Sequence, residues 1–547
     1  MKNEIKKNFV NQNRIGLITT GLAAVGCTLF TPASAQKTSK PNIIMIMVDD
    51  LGFSDISPYG ASDIQTPNLS RLANEGIRFR QFYNNSISAP TRASLITGQY
   101  QHNAGVGFFN VDLGDPNYQG FLNHESLTFA EVLHQAGYTT LMSGKWHVGD
   151  RDSTQWPNQR GFDHFFGFLG GASRYYDAGE SEKNKFKVSL YKDNKPYRLK
   201  TGEYLTDKIT DNALEFIGNA SKKKNPFFLY LAFNAPHWPL QALPEDIAKY
   251  KGKYSIGWDS LRVSRFNNAK RLGVISENTI LTRHDSRVRP WNALRQDEKA
   301  DYEKRQEVYA AMIDRVDQEI GRVLAKLKDV GRDKNTLIIF VSDNGAQGGS
   351  DARAWQEKKT GEVGEPGSWY QQNSDWSQTG DSPFRDYKAA PYEGGISAPF
   401  IAWYPGHIPA GKIVDGTAHL IDIAPTFYEL AKAEYPTEYK GYKTLPLSGT
   451  SLTPVLYGQS NTVNRGKPLF WEWAGNRAAR DGKWKYIHVD NQIGDELYDI
   501  DNDRGENFNL ATEHPEILKS LKDQWLKWST QNHVKYPYPS NWPHFRW

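Results

Sequence analysis

Asn42-Ile43-Ile44-Met45-Ile46-Met47-Val48-Asp49-Asp50 decides how the chain is read: an apolar run too short for a helix ends abruptly in two carboxylates. A run of this kind is what a strand covered on both faces looks like, and such strands belong to parallel sheets. Three further runs behave the same way. Thr336 to Ser342 ends at Asp343-Asn344-Gly345, Thr139 to Met142 leads to Lys145 and His147, and Phe227 to Phe233 leads to His237. Parallel strands that each finish in ionisable groups deliver them to one edge of a sheet, where α/β proteins hold their ligands.

Helical spacing fills the intervals. Leu69 to Glu75 stops at Gly76, Leu127 to Gln135 stops before Gly137, and Thr206 to Ile217 stops at Gly218. Tyr302 to Val330 is the clearest helix, with Val308, Met312, Val316, Ile320, Val323 and Leu327 at steps of three and four before Gly331. This alternation predicts an α/β fold: a large, mainly parallel central sheet flanked by helices. Glu245 to Arg295 and Glu357 to Asp386 lack period and read as long binding loops. Beyond about Lys440 the pattern changes. Pro468 to Trp473, Trp484 to Val489 and Glu496 to Ile500 read as short antiparallel strands of a smaller C-terminal α+β subdomain. The division is a signal at 1–35, a catalytic domain at 36–460 and a C-terminal subdomain at 461–547.

Composition narrows the partners. The 547 residues carry 66 basic and 62 acidic side chains, so nothing points to nucleic acid. The 16 Trp, 28 Tyr and 26 Phe supply flat faces suited to sugars. Lys2, Lys6, Lys7 and Arg14 precede an apolar stretch from Ile15 to Phe30 and then Ala33-Ser34-Ala35, the form of a removable export signal cut after Ala35. That stretch is too short to span a bilayer, no other segment is a transmembrane candidate, and the periplasm is the expected destination. Cys27 is the only cysteine, and Ala24-Val25-Gly26-Cys27 offers an alternative lipoprotein-type processing site. On either reading the exported chain has no disulfide, and thiolate chemistry is excluded.

The chemistry-bearing residues form three groups. In Ser88-Ala89-Pro90-Thr91-Arg92, Pro90 suits a first helical turn, so Thr91 to Thr97 reads as a helix ending at Gly98. Ser88 then sits at its positive end, where backbone amides favour an anion. Asp49-Asp50 and Asp343-Asn344 add hard oxygen donors suited to Ca²⁺ or Mg²⁺. Clustered carboxylates without a cation would repel one another. Lys145, His147, His237 and Lys388 supply fixed cations and proton carriers for an oxyanion ester.

These residues resemble the type I sulfatases, arylsulfatase-like members of the alkaline-phosphatase-like superfamily, whose signature is Cys or Ser-x-Pro-x-Arg before a helix ending in Thr-Gly. Here the signature runs from Ser88 through Arg92 to Thr97-Gly98. The likeness extends over Asp49-Asp50, Gly144-Lys145-Trp146-His147, Asn234-Ala235-Pro236-His237, Ser342-Asp343-Asn344-Gly345 and Lys388 to Glu393-Gly394-Gly395. It implies that Ser88 is oxidised to formylglycine by a serine-type formylglycine-generating maturase. A hydroxyl of hydrated residue 88 then attacks sulfur, and the second hydroxyl expels sulfate. It further implies one Ca²⁺, ahead of Mg²⁺, held by Asp49, Asp50, Asp343, Asn344 and residue 88. Arg92 would stabilise the hydrate, Lys145 and Lys388 would neutralise the sulfate, His147 would assist hydrate breakdown, and His237 would protonate the leaving oxygen. Two positions depart from the family pattern: Thr91 replaces the usual Ser, and Ser397 stands where many relatives carry Arg.

The expected activity is exo-acting hydrolysis of sulfated glycans, such as galactose or amino-sugar sulfates, or of aryl sulfates. His102, Arg174, Tyr175 and Trp369 to Trp376 are the expected substrate contacts. Two alternatives stand beside it: a phosphatase or phosphodiesterase of the same superfamily using unmodified Ser88, and an inert glycan-binding protein that kept the fold.

Overall fold

Strand β1 (Asn42–Asp49) is buried along its whole length and lies at the middle of the molecule. The computed structural model describes residues 40–176, 190–349, 361–490, 492 and 494–544, so the signal read at 1–35, Cys27 with it, lies outside them. Ten strands form the central sheet: β1, β2 (Ile77–Phe79), β3 (Thr139–Lys145), β4 (His164–Phe168), β5 (Leu190–Lys192), β6 (Lys195–Tyr197), β7 (Phe227–Pro236), β8 (Thr336–Ser342), β9 (Phe400–Trp403) and β10 (Lys412–Val414). Their spatial order is β10-β2-β9-β8-β1-β7-β3-β4-β5-β6. The central five, β8 to β4, are parallel, while β9, β5 and β6 run antiparallel to their neighbours.

The two-sided burial inferred from the opening run is real. Ile43, Met45 and Met47 enter one apolar cluster with Ala89, Ala93 and Leu95 of α2 (Ser88–Thr97) and Phe129 and Leu133 of α3 (Phe129–Gln135). Ile44, Ile46 and Val48 enter the other, with Leu69 and Leu72 of α1 (Pro67–Glu75), Ile209 and Phe216 of α4 (Leu205–Ser221) and Met312 and Ile320 of the long helix Gln296–Asp329. Each such side chain contributes about 1.5–3 kcal/mol on burial, and no polar residue stands between Asn42 and Asp49.

Several boundaries differ from the sequence reading. Helix α4 continues through Gly218 to Ser221 because its buried face carries on to Ala220. Within Glu245 to Arg295, Gly257–Arg271 forms a 15-residue helix, α5, and the long helix is therefore α6. Arginines occupy part of its buried face, which hides its period: Arg265 is fully buried, pairs with Asp55 and lies 2.8 Å from Asp63. A short helix, Asn373–Gly380, interrupts the second irregular stretch. Among the described residues no helix is long and apolar enough to cross a membrane.

The C-terminal sheet is antiparallel, as expected, with four strands: β11 (Leu469–Trp473), β12 (Asn476–Asp481), β13 (Trp484–His488) and β14 (Glu496–Asp499). Strand β12 escaped the sequence reading because three of its six residues are charged and one is Asn. A buried ionic cluster joins this sheet to the loop that carries Lys388. Lys485 Nζ of β13 bonds to Glu393 Oε1 (2.9 Å) and Glu506 Oε1 (2.7 Å), all three side chains being inaccessible. Arg504 Nε reaches Glu393 Oε2 (2.9 Å), and its Nη2 reaches Ser397 Oγ (2.6 Å). Thus a guanidinium from the C-terminal region occupies the surroundings of Ser397.

Removing one member of a buried ionic cluster strands its partners without compensation. Lys485→Met is expected to destabilise the protein by about 3–5 kcal/mol, read as a clear fall in Tm, although Lys485 touches no candidate catalytic residue. A second expectation concerns acid. His419 is buried, with Nδ1 accepting from Ile421 N at 3.2 Å. Burial, aided by Arg465, holds this imidazole well below its ordinary value. The folded state keeps it neutral while the unfolded chain takes up a proton below about pH 6.5, so stability is full above that pH and falls on acidification. Tm measured from pH 7.5 to 5.5 should decline less steeply in His419→Gln than in the parent.

Candidate active site

The register of the sheet assembles the site. Val48 of β1 pairs with Ser342 of β8, so Asp49-Asp50 and Asp343-Asn344 leave adjacent strands side by side. On the other flank of β1, Asp49 pairs with Pro236 of β7, and Ala232 of β7 pairs with Gly144 of β3, which brings His237 and Lys145 to the same edge. The pairing is irregular between Met47 and Asp49. Asp50 there takes a positive φ of 65°, and its amide donates to Asp343 Oδ1 at 3.2 Å. Asp49, Asp50, Asp343 and Asn344 are all fully buried.

Close backbone approach sets the neighbouring loops. A Cβ on Gly345 would stand 1.9 Å from the carbonyl oxygen of Gly394, so the Asp-Asn-Gly segment can meet the Glu-Gly-Gly segment only with glycine at 345. Ala389 N donates to Ser86 O at 2.7 Å and ties the Lys388 loop to the turn before α2.

Helix α2 begins at Ser88 itself rather than at Thr91, and all ten of its residues are buried. Ser88 Oγ lies 3.1 Å from Asp49 Oδ1 and 3.1 Å from Asn344 Oδ1, so its one proton is shared between two oxygen acceptors. Asn344 Nδ2 donates to Asp50 Oδ1 at 2.7 Å, which leaves Oδ1 facing Ser88. Arg92, one helical turn on, shares the face of Ser88. Its Nη2 is 2.8 Å from Asp343 Oδ2, and Nη1 reaches the Lys145 carbonyl at 3.3 Å. Thr91 Oγ1 accepts from Asn85 N at 3.0 Å, a bond that a serine hydroxyl could make equally.

Cations close over the carboxylates. Lys145 Nζ is 2.5 Å from Asp49 Oδ2, while Lys388 Nζ is 2.6 Å from Asp50 Oδ1 and 3.0 Å from Gln347 Oε1. Burial alone would raise the Asp49 carboxyl; Lys145, His237 and Arg92 hold it below its ordinary value. Burial, reinforced by Asp49, pushes Asp343 upward.

The histidines are set differently. His237 Nδ1 is 2.7 Å from the Trp238 carbonyl, an acceptor only, so Nδ1 carries a proton and Nε2 faces Asp50 Oδ2 at 3.5 Å. His147 has φ 62° and is buried, and its Nδ1 has no partner among the described residues. A Cβ on Gly171 would come within 2.6 Å of its Nε2, so the loop after β4 lies directly against the ring. Burial, followed by Lys145 and Arg92 for His147, holds both imidazoles below their ordinary value, His147 far below.

Three carboxylates, an amide oxygen and a hydroxyl therefore converge as hard donors, and the fit to a divalent cation rests on that donor set. Asp49, Asp50 and His237 have ligand atoms within 4.8 Å of one another, adding a nitrogen to the set.

The four expected substrate contacts land in different places. Arg174 stacks its guanidinium over the Trp369 ring at 4.8 Å, and Trp369 meets Trp238, which meets His237. These side chains form a wall running outward from His237. Tyr175 is buried, with its hydroxyl donating to the His237 carbonyl at 2.7 Å. Trp376 packs in the core against Trp258 and Trp291. His102 is buried with Nε2 2.7 Å from Glu472 Oε2. Gln347, Trp238 and Arg504 were missed: nothing about an isolated Gln or Trp marks it in sequence, and Arg504 lies 107 positions from the Ser397 it serves.

Comparison with known proteins gives this arrangement its context. The family profile described as "Sulfatase" matches residues 41–433, and that described as "N-sulphoglucosamine sulphohydrolase, C-terminal" matches residues 384–531. The arylsulfatase of Klebsiella aerogenes is 35% identical over 449 residues, 79% of this chain and 96% of its own. The N-acetylgalactosamine-6-sulfatase of Rattus norvegicus is 30% identical over 471 residues, 81% of this chain and 74% of its own. The crystal structure of Ps i-CgsB in complex with k-i-k-neocarrahexaose superposes with a TM-score of 0.68 at 28% identity, covering 92% of this chain and 96% of that one. A match across most of the chain, on a sheet edge already furnished for an oxyanion ester, makes this protein a member of the sulfatase family, a sulfuric ester hydrolase of the alkaline-phosphatase-like fold.

Proposed function

We propose that the protein is an exported, exo-acting carbohydrate sulfatase that works through a formylglycine made from Ser88 and one Ca²⁺ ion. The observation that carries the reading is the setting of Ser88 Oγ, 3.1 Å from Asp49 Oδ1 and from Asn344 Oδ1 at the start of α2, with Arg92 on the same face. Conversion of residue 88 supplies a hydrated aldehyde, with one hydroxyl to attack sulfur and a second to release sulfate afterwards. Asp49, Asp50, Asp343, Asn344 and residue 88 would hold the metal, which supplies charge stabilisation for the attacking and ester oxygens.

The remaining side chains have work that follows from their placement. Asp49, Asp50 and Asp343 carry three negative charges against Lys145, Lys388 and Arg92, a neutral sum. A divalent cation on the carboxylates leaves an excess of two positive charges, and Lys145 and Lys388 are then free to meet an incoming sulfate ester. An anion bound beside His237 raises its imidazole toward protonation, so that Nε2 can give a proton to the departing sugar oxygen. His147, held neutral by burial and without a partner for Nδ1 among the described residues, suits removal of the hydrate proton.

The wall of Trp238, Trp369 and Arg174 supports a sugar as the alcohol portion, since ring faces cover sugar C–H surfaces while the guanidinium takes hydroxyl or sulfate oxygens. The likeness to a sulfatase-fold protein crystallised with k-i-k-neocarrahexaose supports the same class. The charged start, apolar stretch and Ala33-Ser34-Ala35 of residues 1–35 support export, with the periplasm as the proposed destination and a serine-type maturase as the proposed partner met beforehand.

Chain matured in its native host should carry residue 88 two hydrogens lighter than serine by intact peptide mass, and should release sulfate from at least one member of a panel of regiochemically defined sulfated monosaccharides. Full activity with unmodified Ser88, or no release from the whole panel, overturns the reading; Ser88→Ala should lower turnover by at least about 10³-fold. Arg174→Ala should raise KM for the sugar sulfate roughly 5–30-fold, the equivalent of about 1–2 kcal/mol. It should leave kcat/KM for a small aryl sulfate within about threefold.

A further inference from the structure

A second cleft, of about 820 Å³, opens between the loop after α2, the start of β11 and the C-terminal helix Pro515–Gln531. Its floor is aromatic. Trp528 stacks on Phe470 at 5.1 Å with their planes 13° apart and meets the edge of Tyr100 at 4.9 Å. Trp528 is 5% exposed, and its indole N–H has no acceptor among the described residues, an omission that a buried donor rarely sustains unless something else completes it. Its walls carry carboxamides, among them Gln524 and Gln531 from the helix and Asn103 and Asn117 from the facing loops.

The charge of the cleft is also distinctive. Lys467 and Lys527 line it, and neither has a carboxylate within ion-pair distance among the described residues. Glu125 is the one carboxylate in the lining. Both lysines are exposed, so their ammonium groups are accessible to an anion entering the cleft. Flat rings, planar amides and unpaired ammonium groups together match a polyol that carries negative charge. His102 links the cleft to the catalytic side. Its ring meets Trp528 at 6.0 Å and its Nε2 bonds Glu472, whose neighbour Trp473 shares a small apolar cluster with Ile87, the residue before Ser88.

We infer that this cleft is a second, non-catalytic binding site for a sulfated oligosaccharide, holding one part of a chain while a terminal residue is desulfated. The inference takes only the class of its ligand from the sugar reading of the active site. Its test uses the full chain with unmodified Ser88, titrated calorimetrically with a sulfated hexasaccharide of defined length, the same hexasaccharide after desulfation, and inorganic sulfate. Lys467→Ala/Lys527→Ala should weaken hexasaccharide binding at least tenfold, whereas the matured double variant should turn over an aryl sulfate as the parent does. The desulfated sugar should bind more weakly than the sulfated one, and inorganic sulfate at equal concentration should not displace it. Equal hexasaccharide affinity in parent and double variant overturns the inference, as does full displacement by inorganic sulfate. A panel of monosaccharide sulfates that yields no product, with hexasaccharide binding still dependent on the two lysines, removes the active-site reading and leaves the cleft standing.

Discussion

Three carboxylates buried at the edge of one sheet are the constraint to which the rest of the site answers. Asp49, Asp50 and Asp343 have no access to solvent, and like charges so placed are tolerated only with cations at hydrogen-bond distance. Lys145, Lys388 and Arg92 provide them, each from a different element: the end of β3, the loop before Glu393, and α2. The strand order follows from the same need. Parallel strands β8, β1, β7 and β3 stand next to one another and all end at that edge, so one sheet gathers groups that are hundreds of residues apart.

The C-terminal sheet is part of this arrangement rather than an appendage. Lys485 and Arg504 hold Glu393, and the Glu393-Gly394-Gly395 turn fixes the loop that presents Lys388 to Asp50. Arg504 also brings a guanidinium to Ser397 Oγ from a separate part of the chain.

Much of the fold and the centre of the site were legible because both depend on short-range patterns. Apolar runs ending in Asp49-Asp50, Asp343-Asn344 and His237 gave the sheet and its functional edge directly. The run before Lys145 was read too short: β3 continues through Ser143, Gly144 and Lys145, which are polar or small yet fully enclosed. Helix α5 was invisible because Arg262 and Arg265 occupy positions where apolar residues would have shown the period. The wall of side chains beside His237 was half legible. Arg174 and Trp369 were singled out from loop position alone, whereas Trp238 and Gln347 are placed only by their three-dimensional neighbours. Tyr175 and His102 illustrate the converse, since an aromatic or imidazole beside functional residues can serve the backbone or a carboxylate behind them.

The enclosure of α2 constrains the modification proposed for residue 88. Every residue of the helix is buried, and Ser88 is 2% exposed with its hydroxyl directed at Asp49 and Asn344. An enzyme acting on that side chain must surround it with a pocket of its own, which the folded chain leaves no room to do. On the proposed reading, modification would have to come before the Asp49 and Asp343 strands close on α2, while Ser88 to Arg92 is still an extended peptide. On that reading the Ser-x-Pro-x-Arg segment serves two readers in turn: as a linear peptide before folding, and afterwards as the first turn of a helix whose Ser88 and Arg92 face Asp49 and Asp343.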